Sequence, residues 1–312
     1  VTLWDGSTQI GSAAFTSTNQ VGTSTLTSVV NIPKDGDKIN TVKADFVAVQ
    51  TGTGGTATGA IPGHIVAVDL NGNDTTATEG TGVDSGSTVN LATSGSSGST
   101  AVAGVRLFKS FPTITKLAVP STKAANGDMS ILRFRVTANS TGDVGVAKFT
   151  VRIATTSMNA ASLNIYAYTD SGFSVPVSGL SSDGSLLATA FSLPTWVDNT
   201  TDLDISAQTS AAASTTVQVP AGASRYFDVR ATLSNVNASG DSISTQIQGD
   251  AAYPSLSTFM TTHNGVNGDT NNDFIWSPNS TTTVTTAGFD WTNGFGVVGL
   301  PSSNMNSEIL SF

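Results

Sequence analysis

Two stretches of this chain repeat each other, and the repeat is out of phase with the chain's ends. Val30 to Ala44 (VNIPKDGDKINTVKA) is echoed by Val217 to Ala231 (VQVPAGASRYFDVRA). In each, a proline (Pro33, Pro220) lies ten residues before a cation (Lys43, Arg230) that is followed by alanine (Ala44, Ala231). The opening residues, Val1-Thr2-Leu3-Trp4, match Leu163-Asn164-Ile165-Tyr166, well inside the second copy. Leu300-Pro301-Ser302-Ser303 matches Val119-Pro120-Ser121-Thr122, where that copy begins. A chain that starts in mid-copy and stops on the opening of another reads as a fold completed by a neighbour, or as a piece of a longer array.

Residue types decide the class of fold. Glu occurs only at Glu79 and Glu308, so strong helix formers are scarce, while Thr and Val favour a pleated surface. Period-two alternation is clear in several runs. Leu132, Phe134 and Val136 alternate with Arg133 and Arg135; Ala147, Phe149, Val151 and Ile153 alternate with Lys148, Thr150 and Arg152. Phe227, Val229, Ala231 and Leu233 alternate with Asp228, Arg230 and Thr232. Turn signals such as Asn126-Gly127 and Ser239-Gly240-Asp241 separate the runs. The expectation is an all-β chain of two tandem Ig-like antiparallel β-sandwich modules.

Residues 1–118 form the first module, incomplete at its N-terminus because counterparts of Ile131–Ala138 and Val144–Ile153 are missing. Residues 119–299 form a complete module, and 300–312 a tail. In that tail Ile309, Leu310 and Phe312 mimic Ile131, Leu132 and Phe134. A module short of strands exposes unpaired backbone groups and an apolar face. The tail of another copy would cover them, with Ile309, Leu310 and Phe312 of the donor and Val1 and Leu3 of the acceptor at the interface. Such a contact is heterologous and builds a filament.

The VPST and LPSS junctions, with Asp273-Phe274-Ile275-Trp276-Ser277-Pro278 and Asp290-Trp291-Thr292-Asn293-Gly294, resemble tandem β-sandwich repeats. These occur in large surface proteins, S-layer-like, secreted by uncultivated small-genome bacteria. The resemblance implies an extracellular envelope or filament protein with no catalytic residues. A surface-layer lattice, or an adhesin or carbohydrate-binding module making glycan contacts, are the alternatives.

Chemistry is sparse. A net charge of −9 with 13 Lys plus Arg argues against nucleic-acid binding, which needs a basic surface. No apolar run approaches the roughly 18 residues of a membrane span. Cysteine is absent, so disulfides and thiolates play no part. The two histidines, His64 and His263, lack a nucleophile elbow and read as satisfied or solvent-facing. The chain is therefore not read as an enzyme.

Calcium is the candidate cofactor, at Asp269, Asn271 and Asp273, where side-chain oxygens alternate. The glycine and glutamate that complete an EF-type loop are missing, and Asp and Asn also fill turns for conformational reasons. Asp69 to Asp74 is a second oxygen-rich turn of the same kind. Trp276 and Trp291 read as core or interface rather than sugar platforms. Lys148 is a candidate for a Lys–Asn isopeptide bond, but alternation puts it on the polar face, away from the core. Asp202 and Asp204 share one strand face and read as a solvated edge.

Overall fold

In a computed structural model, the structure describes residues 1–15, 21–46, 49, 62–63, 65–71, 78–90, 104–191, 199–210, 213–253, 263–268, 271–280, 291–300 and 304–312. Secondary structure among them is strand and turn, so the all-β expectation holds. Two compact units are formed: Val1–Val49 with Gly63–Leu107, and a second that includes Phe108–Phe312. The boundary thus lies about ten residues before the expected one. The reason is that Pro112–Leu117 pairs with Gly127–Ala138 and so belongs to the second unit.

The first unit contains β1 (Thr2–Asp5), β2 (Thr8–Ser12), β3 (Thr41–Lys43), β4 (Ile65–Val66), β5 (Glu79–Thr81), β6 (Thr88–Asn90) and β7 (Val105–Arg106). β1 and β2 turn at Gly6, at φ 58°, where a side chain would be strained. The sheet order is β2-β1-β3, with β4-β7 and β5-β6 as separate pairs.

The second unit begins with β8 (Pro112–Leu117), β9 (Gly127–Ala138), β10 (Val144–Thr156), β11 (Asn159–Tyr168) and β12 (Thr200–Ser206). A small pair, β13 (Gln208–Ser210) and β14 (Ala213–Ser214), follows. Then come β15 (Val217–Val219), β16 (Ser224–Ser234), β17 (Ser242–Ile247), β18 (Gly265–Val266), β19 (Phe274–Ser277) and β20 (Glu308–Ser311). One sheet runs β11-β16-β9-β8; the other runs β18-β12-β10-β17-β20, with β15 and β19 also on β10.

The two sheets pack face to face as an antiparallel sandwich. Its centre is aromatic: Phe134 of β9 stacks on Phe227 of β16, and Phe149 of β10 meets both edge-on and stacks on Phe274 of β19. All four rings are fully buried.

The alternation in β9 holds, with Leu132, Phe134 and Val136 buried. Ile131 is buried as well, because the register against β16 shifts between Val229 and Arg230. In β10 the alternation breaks. The ladder to β19 slips between Val146 and Lys148, so Val144 and Val146 enter the core before the slip and Phe149, Val151 and Ile153 after it. Ala147, expected with the inward set, instead packs with Ile275 and Trp291 in a separate apolar cluster.

The repeat reappears as identical strand pairing. In the second unit Asn164, Ile165 and Tyr166 face Arg230, Val229 and Asp228. In the first, Thr2, Leu3 and Trp4 face Lys43, Val42 and Thr41. Residues matched by sequence are therefore matched in register.

Candidate functional site

Two places in the molecule carry more than packing. The first is the free side of β3. In the second unit β16 lies between β11 and β9. Its counterpart β3 has β1 on one side and, among the described residues, no strand on the other. Val42 of β3 is 47% exposed, and Val29, Ile32 and Ile39 before it are 83%, 68% and 87% exposed. Among the described residues, Ile10 is the large aliphatic side chain that this unit buries. Of the expected acceptor residues, Leu3 pairs with Val42 and with Gly11, and Val1 accepts from the Ala13 amide at 2.9 Å.

The tail lies within the second unit rather than apart from it. β20 pairs with β17, Leu310 opposite Ile243, and the Ser311 amide donates to Thr122. Leu310 is fully buried, whereas Ile309 and Phe312 are about half exposed. Lys116 clamps the strand through Glu308 at 2.7 Å, and Lys123 lies over the Phe312 ring. The tail thus completes an edge of its own unit.

The second place is a buried cluster on the outer face of β10 and β12. Lys148 and Asp204, expected at a polar surface, are both fully buried. The sequence reading fails here because side chains cover the outer face of this sheet: the His263 ring reaches Asp204, and Trp291 packs with Ala147 and Ile275. Lys148 Nζ is 3.2 Å from Asp204 Oδ2 and, among the described residues, makes no aligned hydrogen bond. Thr150 Oγ1 donates to Asp204 Oδ1 at 2.5 Å, and His263 Nδ1 is 2.7 Å from Oδ2. The Ser206 hydroxyl and the His263 backbone hold each other, Oγ donating to the carbonyl and accepting from the amide, both at 2.9 Å. His263 is therefore satisfied, as expected, but by a buried carboxylate. Asp202, two residues from Asp204, remains near solvent in a bidentate pair with Arg152. That hydrogen-bonded pair raises the Arg152 guanidinium above its ordinary range.

Next to this cluster, Asp250 accepts the backbone amides of Asp273, Phe274 and Gly294. Burial pushes the Asp250 carboxyl up despite those donors. Asp273 is pushed up to about 7, by burial first and then by the charge of Asp250.

Of the calcium candidates, Asp269 lies outside the described residues. Asn271 sits at φ 66° with its side-chain oxygen accepting from Ala251 and Ala252, and Asp273 accepts from Asn267. The two described oxygens serve separate turns. Among the described residues no group of three His, Asp or Glu side chains is placed to hold a metal ion. Of the Asp69 to Asp74 turn, Asp69 to Asn71 are described and the rest are not; His64 is also outside the described residues. Trp276 and Trp291 are buried, Trp276 donating from Nε1 to the Asn293 carbonyl. Among the described residues no helix is long and apolar enough to cross a membrane.

Neither a protein-family model nor a curated protein matches this chain.

The sequence reading missed the joining of Lys148, Thr150, Asp204 and His263. A lysine one residue from an apolar alternation, with a strand carrying two carboxylates at period two, was the available signal.

Proposed function

We propose that this protein is a structural subunit of an extracellular filament, joined head to tail by strand complementation. Its two units are read as Ig-like sandwiches, the first incomplete. The carrying observation is that β3 repeats the pairing of β16 yet, among the described residues, lacks the neighbour that β16 has in β9. An open ladder edge beside exposed Val29, Ile32, Ile39 and Val42 is a template for another chain.

The donor is β20 of the next copy, whose Ile309, Leu310 and Phe312 echo Ile131, Leu132 and Phe134 of β9. Within one chain that strand rests on β17 through a four-residue ladder. Assembly therefore moves β20 from the β17 edge of its own chain to the β3 edge of the next, so β17 is left open in the polymer.

Negative-stain imaging of the purified chain tests this, together with Val42→Lys and Ile309→Asp. Both residues are exposed, so neither substitution disturbs a core. Filaments from the unaltered chain and none from either variant are expected. Filaments that persist in both variants overturn the reading.

A further inference from the structure

We propose that Lys148 and Asp204 condense to form an intramolecular isopeptide bond that staples β10 to β12. The inference stands apart from the filament reading, since it depends only on the interior of the second unit.

Three observations carry it. The amine and the carboxyl are in contact, Nζ to Oδ2 at 3.2 Å, and both side chains are completely excluded from solvent. They stand on rigid neighbouring strands, with Lys148 opposite Ser206 and Thr150 opposite Asp204 in an unbroken ladder. Such a pair is held near its reacting geometry before any chemistry begins. Third, among the described residues the ammonium has no aligned hydrogen bond, so it is poorly compensated as a buried ion. Condensation removes both charges, and the dry surroundings disfavour the reverse hydrolysis.

The groups around Asp204 fit the step. One proton passes from the Lys148 ammonium to Asp204 Oδ2. The freed Nζ lone pair attacks Cγ, and the carbonyl electrons move onto Oδ1, where the Thr150 hydroxyl donates to them. A second proton passes from Nζ to Oδ2, the oxygen 3.2 Å from it, which His263 Nδ1 also meets at 2.7 Å. Oδ2 then departs as water while Oδ1 restores the carbonyl. An ammonium and a carboxylate become an amide and one water, with no oxidant, metal or co-substrate.

Intact-mass spectrometry of the purified, folded full chain is the test. The expected mass is that of the sequence less one water, with a branched peptide joining Lys148 to Asp204 after digestion. Lys148→Arg and Asp204→Ala restore the full sequence mass. Thr150→Val, which keeps the branched shape and loses the hydroxyl, slows bond formation by about tenfold or more. Unaltered chain at its full sequence mass overturns the proposal. So does a one-water deficit that digestion maps elsewhere, such as a succinimide at another aspartate.

Discussion

The Lys43 ammonium lies 4.0 Å from the centre of the Trp4 ring. In the second unit Arg230 lies 4.6 Å over the Tyr166 ring, at the matching positions of the repeat. The repeat has thus preserved a cation above an aromatic face, along with the register that delivers it. An exposed contact of this kind stabilises by about 0.5–1 kcal/mol. Lys43→Gln should speed amide hydrogen exchange in β1 and β3 by about two- to fivefold, while Lys43→Arg should leave it near the original rate. Equal protection in all three proteins would show that the contact adds nothing.

Asp273 gives the second unit an unusual pH dependence. Its carboxyl is raised from 3.8 to about 7 in the fold. Between those values the native state holds a proton that the unfolded chain has lost. Stability therefore falls as pH rises from about 4 through 7, and the penalty is fully present above 7. Asp273→Asn removes it. The urea midpoint of the variant relative to the unaltered chain should be higher at pH 8 than at pH 5. A constant difference between the two pH values would contradict the assignment.

Phe134 sits between two other rings, stacked on Phe227 at a centroid distance of 5.0 Å and edge-on to Phe149 at 5.2 Å. Replacing it by alanine leaves a cavity where both sheets meet. The expected loss is about 3–5 kcal/mol, measured by denaturant titration. Phe15→Ala in the first unit, where the ring is 43% exposed, should cost well under that.

Gly299 has φ 99°, and a Cβ placed there would lie 1.8 Å from the Ile114 carbonyl oxygen. That approach is enforced by the Ile114 amide, which donates to Val298 at 2.8 Å. Backbone cannot swing aside as a side chain can, so Gly299→Ala should lower the melting temperature by several degrees or more. Gly127→Ala is the contrast. Its φ of 114° strains the backbone equally, but the space around it is open. A smaller drop is expected there.

How much could be read in advance depended on how local the cause was. The β9 alternation was legible because its apolar set faces one core and its arginines stay near solvent. The pairing of β1 with β3 was not read in advance, although the repeat carried it, since matched residues have matched partners. The slip in β10 was not legible: Ala147 and Lys148 are displaced by where β19 happens to join, over a hundred residues later. Lys148 and Asp204 were misread for a related reason. A charge opposite an apolar face signals solvent only while nothing covers that face, and the cover arrives with His263 and Trp291. The tail was legible as a strand, yet its hydrophobic pattern fits the edge of β17 as well as it fits another chain.

The seat of β20 on β17 bears on how the chain is made. Residues 242 to 247 emerge from the ribosome well before residue 310, which fills the space beside Ile243. At ordinary elongation speeds the nascent second unit waits for seconds with that strand bare. During this interval the bare β17 edge is vulnerable to pairing with any unfinished neighbour.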